Sequence, residues 1–178
     1  NGRFEVLSVV GEGSIGAVYR ARHMGLGIVV AVKVLHEAFQ RDAEFSRRFY
    51  AEALALSRLD HPNLVHIYDF GQESDGLLYL SMAFVDGQTL RTILNRERRL
   101  EVPRVVAIML QVCAGLGHAH ARGLIHRDVK QDNVMIVRKE DDDGNVVEHV
   151  KVLDFGFAIP PSVSADVAQR LAGTPVYM

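Results

Sequence analysis

With 178 residues, 48% of them hydrophobic, the chain is sized for one domain, or for a small domain and part of another. A formal net charge of −2 provides no basic field to draw nucleic acid or a membrane surface. The one cysteine, Cys113, excludes an internal disulfide framework and agrees with a reducing cytoplasm.

Residues 4–38 read as strands and turns. Phe4-Glu5-Val6-Leu7 leads into a glycine cluster, followed by Ala17-Val18-Tyr19-Arg20-Ala21. The β-branched run from Ile28 to Leu35 is broken only by Ala31 and Lys33. Residues 41–59 read as a helix with Phe45, Phe49, Leu56 and Leu59 on one face, and Leu54, off that stripe, predicts cover on a second side. Asp60-His61-Pro62-Asn63 ends it. Strands are expected at 64–70 and 77–84, around Asp75-Gly76. Val85-Asp86-Gly87 then marks a boundary between two unequal lobes, strand-rich before and helix-bearing after. A longer apolar helix follows at 102–121, with Pro103 near its start and Gly123 past its end. Short strands at 134–138 and 149–153 flank an acidic loop from Glu140 to Asn145. No apolar run reads as long enough to span a bilayer, and Asn1-Gly2-Arg3-Phe4 is not a signal peptide. A start without methionine points to a fragment, whose longer parent could carry an anchor.

Three stretches carry chemistry. In Gly11-Glu12-Gly13-Ser14-Ile15-Gly16-Ala17-Val18 the glycines let backbone amides approach an anion. Alone, this pattern reads first as a glycine-rich hairpin turn. A Rossmann reading needs a helix directly afterwards, and here a strand follows. Lys33 sits inside Val29-Val30-Ala31-Val32-Lys33-Val34, where an edge-strand lysine reaching to water is the plainest reading. Glu52 changes that balance: it falls within the apolar stripe of the 41–59 helix, where a carboxylate is costly unless a cation meets it. His126-Arg127-Asp128-Val129-Lys130-Gln131-Asp132-Asn133 puts an acid, a cation and an amide on one short loop between helix and strand. Asp154-Phe155-Gly156 follows the apolar strand Val150 to Leu153, at a strand end where ligands are often held. His118 and His120 are two apart on a helix and share no face, so a zinc site is not expected.

The ordered set GxGxxGxV, VAVK, a helix Glu, HRDxKxxN and DFG resembles the signature of the protein kinases, and the wording resembles eukaryotic-like, Hanks-type Ser/Thr kinases of bacteria. Gly173-Thr174-Pro175-Val176-Tyr177-Met178 is similar to the stretch before that family's Ala-Pro-Glu. The resemblance implies an α+β, protein-kinase-like two-lobe fold: a complete β-rich small lobe with its helix over 1–84, then the hinge and first part of a helical large lobe over 85–178. It also implies that residues 1–178, stopping inside the activation segment, are inactive alone.

By this similarity, the loop of Gly11, Glu12, Gly13, Ser14 and Gly16 covers the phosphates of ATP, and Lys33, paired with Glu52, holds the α- and β-phosphates. Asp128 accepts the proton of a protein Ser or Thr hydroxyl, Lys130 neutralises the transferring phosphoryl group, and Asn133 and Asp154 bind Mg²⁺. Val18 and Ala31 lie above the adenine and Met135 below it; Met82 forms the back wall and Ala83-Phe84-Val85 the hinge. Leu56, Ile67, His126 and Phe155 match the family's internal apolar stack. Lys130 and Thr174 fit the Ser/Thr class, Thr174 as part of the substrate loop. Ala83 stands where Glu is common, Gln131 where proline is usual, and the insertion at 140–149 reads as a solvated hairpin tip rather than a calcium site.

The alternatives are a pseudokinase, which would have lost Lys33, Asp128, Asn133 or Asp154, and a small-molecule kinase of related fold. Regulation stays open. Arg127 suits an activation-segment phosphate on Ser164 or Ser162, with Ser164 favoured because Pro160-Pro161 stiffens the chain beside Ser162. Asp166 could instead supply a fixed anion, or the serines could be plain loop residues.

Overall fold

The computed structural model describes residues 2–13, 15–40, 43–141 and 143–155. They fall into two units, one of residues 2–58 and 66–84 and one of residues 59–65 and 85–155.

The first unit is built on five strands: β1 (Phe4–Glu12), β2 (Gly16–His23), β3 (Ile28–Leu35), β4 (Ile67–Gln72) and β5 (Leu78–Ala83). They form one antiparallel sheet in the order β1-β2-β3-β5-β4. Val30 and Val32 point from β3 to one side and meet Ala21 and Tyr79 in a buried cluster. β1 and β4 are opposite edges of the sheet, yet Arg3 and Asp69 lie 2.8 Å apart, so the sheet curls until its edges approach. Arg3 also bonds the Tyr79 hydroxyl, which donates to Asp69 over 3.0 Å. Burial, then that carboxylate, pushes the Tyr79 phenol up.

Two helices follow β3: a short α1 (Glu37–Gln40), which the sequence pattern does not signal, and α2 (Ala43–Ser57). The apolar stripe of α2 is buried at Phe45, Phe49, Ala53 and Leu56, at helical spacing. Leu54 is exposed among the described residues, so the second cover expected from it is absent there. β4 starts at Ile67 rather than 64, because Leu64 and Val65 are held in the other unit.

The second unit contains β6 (Gln88–Thr89), α3 (Leu90–Glu97), α4 (Val102–His120), a 3₁₀ turn (Gln131–Asn133), β7 (Val134–Glu140) and β8 (Val146–Val152). β6, β7 and β8 form a three-stranded sheet. The segment 59–65 runs along β8: Leu64 bridges Val152, Val152 donates to the Asn63 carbonyl over 2.8 Å, and Val65 donates to the Val152 carbonyl over 3.1 Å. The Asn63 amide, nearly buried, donates to the Val150 carbonyl and to Gln111 on α4. α4 lies so close that a Cβ on Gly115 would come 3.0 Å from Leu64 and 3.2 Å from the Asn63 carbonyl.

α3 and β6 are absent from the sequence reading. Thr89 caps α3 by accepting from the Thr92 amide, and Ile93 is its buried residue. The strands β7 and β8 run longer than expected, leaving a tip of residues 141–145 in which Asp141 accepts from the amides of Asp143 and Asn145. α4 also corrects the reading of apolar runs: by length and composition it could cross a membrane. Ile108, Val112, Gly115 and Ala119 are nevertheless buried within the unit, while Val102, Val106 and Leu110 are exposed.

Arg104 on α4 grips both carboxylate oxygens of Glu148 on β8, over 2.9 and 2.8 Å, and also reaches Glu97 at the end of α3. Its guanidinium holds the Glu148 carboxyl below the usual carboxylate range. That stabilisation is therefore complete above the ordinary carboxylate pKa and is lost as pH falls through the lowered one. Arg104→Ala should cost about 1–2 kcal/mol in urea unfolding at pH 7, the scale of half-buried charge-assisted bonds. The deficit should shrink as pH drops below about 4. Equal stability of the two proteins at pH 7 would count against the ion pair.

Candidate active site

In the first unit, the glycine-rich turn between β1 and β2 is closed by a 2.9 Å bond from the Gly13 amide to the Gly16 carbonyl. The His36 ring bonds the Gly13 carbonyl over 2.9 Å. The glycines have different reasons. A Cβ on Gly16 would sit 2.0 Å from the Val34 carbonyl, so β3 itself demands glycine there. A Cβ on Gly11 would meet nothing within 4 Å, and Gly13 is nearly as open. Those two positions leave room for an outside group. Glu12 ends β1 opposite Ala17.

Lys33 is 7% exposed on β3, between Val18 of β2 and Leu80 of β5. β3 is a central strand, so the edge-strand reading of this lysine fails. A buried ammonium needs anionic company. Glu52 is half-buried on α2. Ala31 pairs with Met82, and both are buried. The Ala83 amide donates to the His66 carbonyl over 2.8 Å, so that amide is already committed. Leu56 and Ile67 are buried here as core residues.

In the second unit, one loop gathers the polar groups. His126 is 1% exposed. The Asp128 amide donates to its Nδ1 over 3.3 Å, and its Nε2 lies 2.7 Å from the Leu153 carbonyl. An amide can only donate and a carbonyl only accept, so the ring is the neutral Nε2–H tautomer. Burial lowers its pKa accordingly. The ring packs on Phe155 with centroids 4.7 Å apart. Arg127 takes φ 64 and Asp154 φ 43, the left-handed region that side chains rarely adopt.

Asp128 Oδ2 accepts from Lys130 Nζ at 2.7 Å and from Asn133 Nδ2 at 3.0 Å. The same amide nitrogen also donates to the Asp128 carbonyl at 2.8 Å. Asn133 is nearly buried, and its carbonyl accepts from the Leu153 amide, one residue before Asp154. Thus three sequence-read positions, Asp128, Lys130 and Asn133, share one hydrogen-bonded loop, and Asp154 directly follows the residue that bonds to it. A carboxylate held between an ammonium and an amide at the protein surface suits a general base with a cation beside it.

The family profile described as protein kinase domain matches residues 4–178. The chain belongs to the protein kinase family. It is 44% identical to serine/threonine-protein kinase pkn3 of Myxococcus xanthus over 99% of its own length and 32% of that protein's. It is 40% identical to serine/threonine-protein kinase PrkC of Bacillus subtilis, over 89% of this chain and 23% of that one. The chain therefore spans less than a third of these relatives. Among solved structures, a PknI kinase domain of Mycobacterium tuberculosis superposes with a TM-score of 0.73 at 33% identity, covering 97% of this chain and 67% of that one. The chain thus has the α+β kinase fold, with a β-sheet small lobe followed by the helical part of a large lobe.

Of the remaining positions, Val85 and Met135 are half-buried in the second unit, Met135 on β7 opposite Thr89. Ser14, Ser162, Ser164, Asp166 and Thr174 lie outside the described residues. For a cation, no group of three His, Cys, Asp or Glu comes together among the described residues. The oxygen donors of Asn133 and Asp154 still fit Mg²⁺, which takes few protein ligands and fills its shell with phosphate and water. Because the Asn133 nitrogen is committed to Asp128, its oxygen is the atom left for the ion. Sequence reasoning missed the Arg91–Asp132 pair, in which Asp132 accepts from Arg91 Nη2 at 3.1 Å.

Gly16→Ala should cost about 1–3 kcal/mol in thermal or urea unfolding, the range for overpacking, whereas Gly11→Ala should stay within about 1 kcal/mol. Equal losses at the two positions would contradict the distinction.

Proposed function

We propose that the protein transfers the γ-phosphoryl group of Mg-ATP to Ser or Thr hydroxyls of protein substrates. One observation carries this reading: the Asp128 carboxylate is already held by Lys130 and Asn133 beside the loop's exposed surface. Among the described residues Oδ1 of Asp128 accepts no bond, and that oxygen takes the proton of the incoming hydroxyl. Lys130, 2.7 Å from the same carboxylate, neutralises charge that builds on the transferring group. Bound Mg-ATP supplies the electrophilic phosphorus and the metal that neutralises its phosphates. Asn133 and Asp154 hold that metal through oxygen.

The first unit contributes nucleotide contacts in the same reading. The open glycines Gly11 and Gly13, with Glu12 and Ser14, cradle the phosphates, and Gly16 holds the loop's base against β3. Lys33, paired with Glu52, contacts the α- and β-phosphates. For the adenine the first unit supplies Val18, Ala31, Met82 and the Ala83 carbonyl, and the second unit supplies Met135 and the Val85 backbone. Thr174 belongs to the substrate loop, and Ser164 or Ser162, or the fixed anion Asp166, acts on Arg127. The ATP pool this chemistry draws on is cytoplasmic.

The test is transfer of labelled phosphate by the full-length protein to protein and peptide acceptors, beside small-molecule alcohols. Ser and Thr acceptors should be labelled. Asp128→Asn should lower kcat by about 10²–10⁴-fold with ATP affinity within about 3-fold of wild type. Lys33→Met should weaken turnover as well. Undiminished turnover in Asp128→Asn, or labelling of small molecules alone, would overturn the proposal.

A further inference from the structure

Asn133 can orient Asp128 only if the turn that carries it stays in place. That turn, Gln131–Asn133, is a single 3₁₀ element, a geometry whose hydrogen bonds are poor. Within it the Asn133 amide donates to the Lys130 carbonyl over 3.0 Å. Gln131 opens the turn and has no ring to fix its φ. The middle residue is gripped from outside. Asp132 accepts from Arg91 Nε at 3.3 Å on each oxygen and from Nη2 at 3.1 Å on Oδ2.

The element that carries Arg91 is braced at both ends. At its start, Thr89 caps α3 and pairs with Met135 on β7. At its end, Glu97 meets Arg104, which is fixed to Glu148. A planar guanidinium on a braced helix holds a carboxylate in direction as well as distance.

We infer that Arg91 is a positioning residue: by gripping Asp132 it fixes the turn of Asn133, and through Asn133 the Asp128 carboxylate. In this role Arg91 acts through Asp132 rather than on the reacting atoms. The catalytic part of the inference rests on Asp128 being the base; the mechanical part does not. Both side chains are partly exposed, 35% and 46%, so the expected effect is that of an exposed ion pair, a few-fold. A proline at position 131 would supply the same restraint covalently. Lys130 already has the extended backbone, φ −151 and ψ 166, that a residue before proline adopts.

The experiment uses the full-length protein as wild type, Arg91→Ala, Arg91→Lys, Asp132→Ala, the Arg91→Ala/Asp132→Ala double variant, and Arg91→Ala with Gln131→Pro. Two readouts are taken: peptide phosphorylation kinetics, and amide hydrogen exchange at 131–134 without nucleotide. Arg91→Ala and Asp132→Ala should each lower kcat about 3- to 5-fold at unchanged peptide KM, and the double variant should be no worse than either. Arg91→Lys should recover part of the loss, and Gln131→Pro should bring Arg91→Ala within about 2-fold of wild type. Exchange at 131–134 should rise in both single alanine variants and fall back with proline. Multiplicative losses in the double variant, a change in KM instead of kcat, or failure of proline to rescue would overturn the inference. Absence of transfer by the wild type would contradict the kinase reading instead. In that case unchanged exchange in Arg91→Ala would overturn the mechanical part, and raised exchange would uphold it.

Discussion

The Asn133 amide nitrogen donates twice to Asp128, at 2.8 Å to its carbonyl and 3.0 Å to its carboxylate. The residue's own carbonyl accepts from Leu153, so a single nearly buried side chain and its backbone join the 126–133 loop to the residue before Asp154. His126 makes the parallel joint, from the Asp128 amide to the Leu153 carbonyl. Two cross-links between the same pair of segments leave little freedom to Asp128. Buried polar networks of this kind are costly when partly satisfied and directional when complete. Together the two joints orient the carboxylate, the form of preorganisation that electrostatic catalysis requires.

The rest of the second unit serves to keep those segments still. Gln111 on α4 bonds Asn63, the Val150 amide and the Glu148 carbonyl, so one side chain joins the helix, the 59–65 segment and β8. Arg104 then ties α4 to both α3 and β8. In the first unit the analogous constraint is a close approach between strands: the Val34 carbonyl leaves no space for a side chain at Gly16. The register of β2 on β3, with Gly16 opposite Leu35, makes the base of the glycine loop rigid, while Gly11 and Gly13 stay open.

Much of this was legible in the sequence. The β-branched run at 28–35, the stripe of Phe45, Phe49 and Leu56, and the HRDxKxxN spacing all gave elements and groupings close to those observed. The misses have physical causes. The pattern at 64–66 looks like the start of a strand, but Asn63 and Val65 bond to β8, so tertiary pairing claims those residues. α3 is short and holds one buried residue, Ile93, so its periodicity is weak; the capping Thr89 with Thr92 was the signal available. The edge reading of Lys33 required knowing the strand order, which local pattern does not encode. Gly16 and Gly11 look equivalent as letters and differ only in what surrounds them. The Arg91–Asp132 pair joins residues 41 positions apart, beyond any local motif.

The central claim is that the two joints lock the 126–133 loop, and the His126 ring reports on it most directly. Imidazole nitrogen shifts of His126 can be followed by NMR in the nucleotide-free, full-length protein between about pH 5 and 8. A locked loop predicts one slow-exchanging Nε2–H tautomer that stays neutral through the pH at which an ordinary histidine is half-protonated, because burial lowers its pKa. A ring that titrates near about 6.5, or that averages between its two tautomers, would contradict the account.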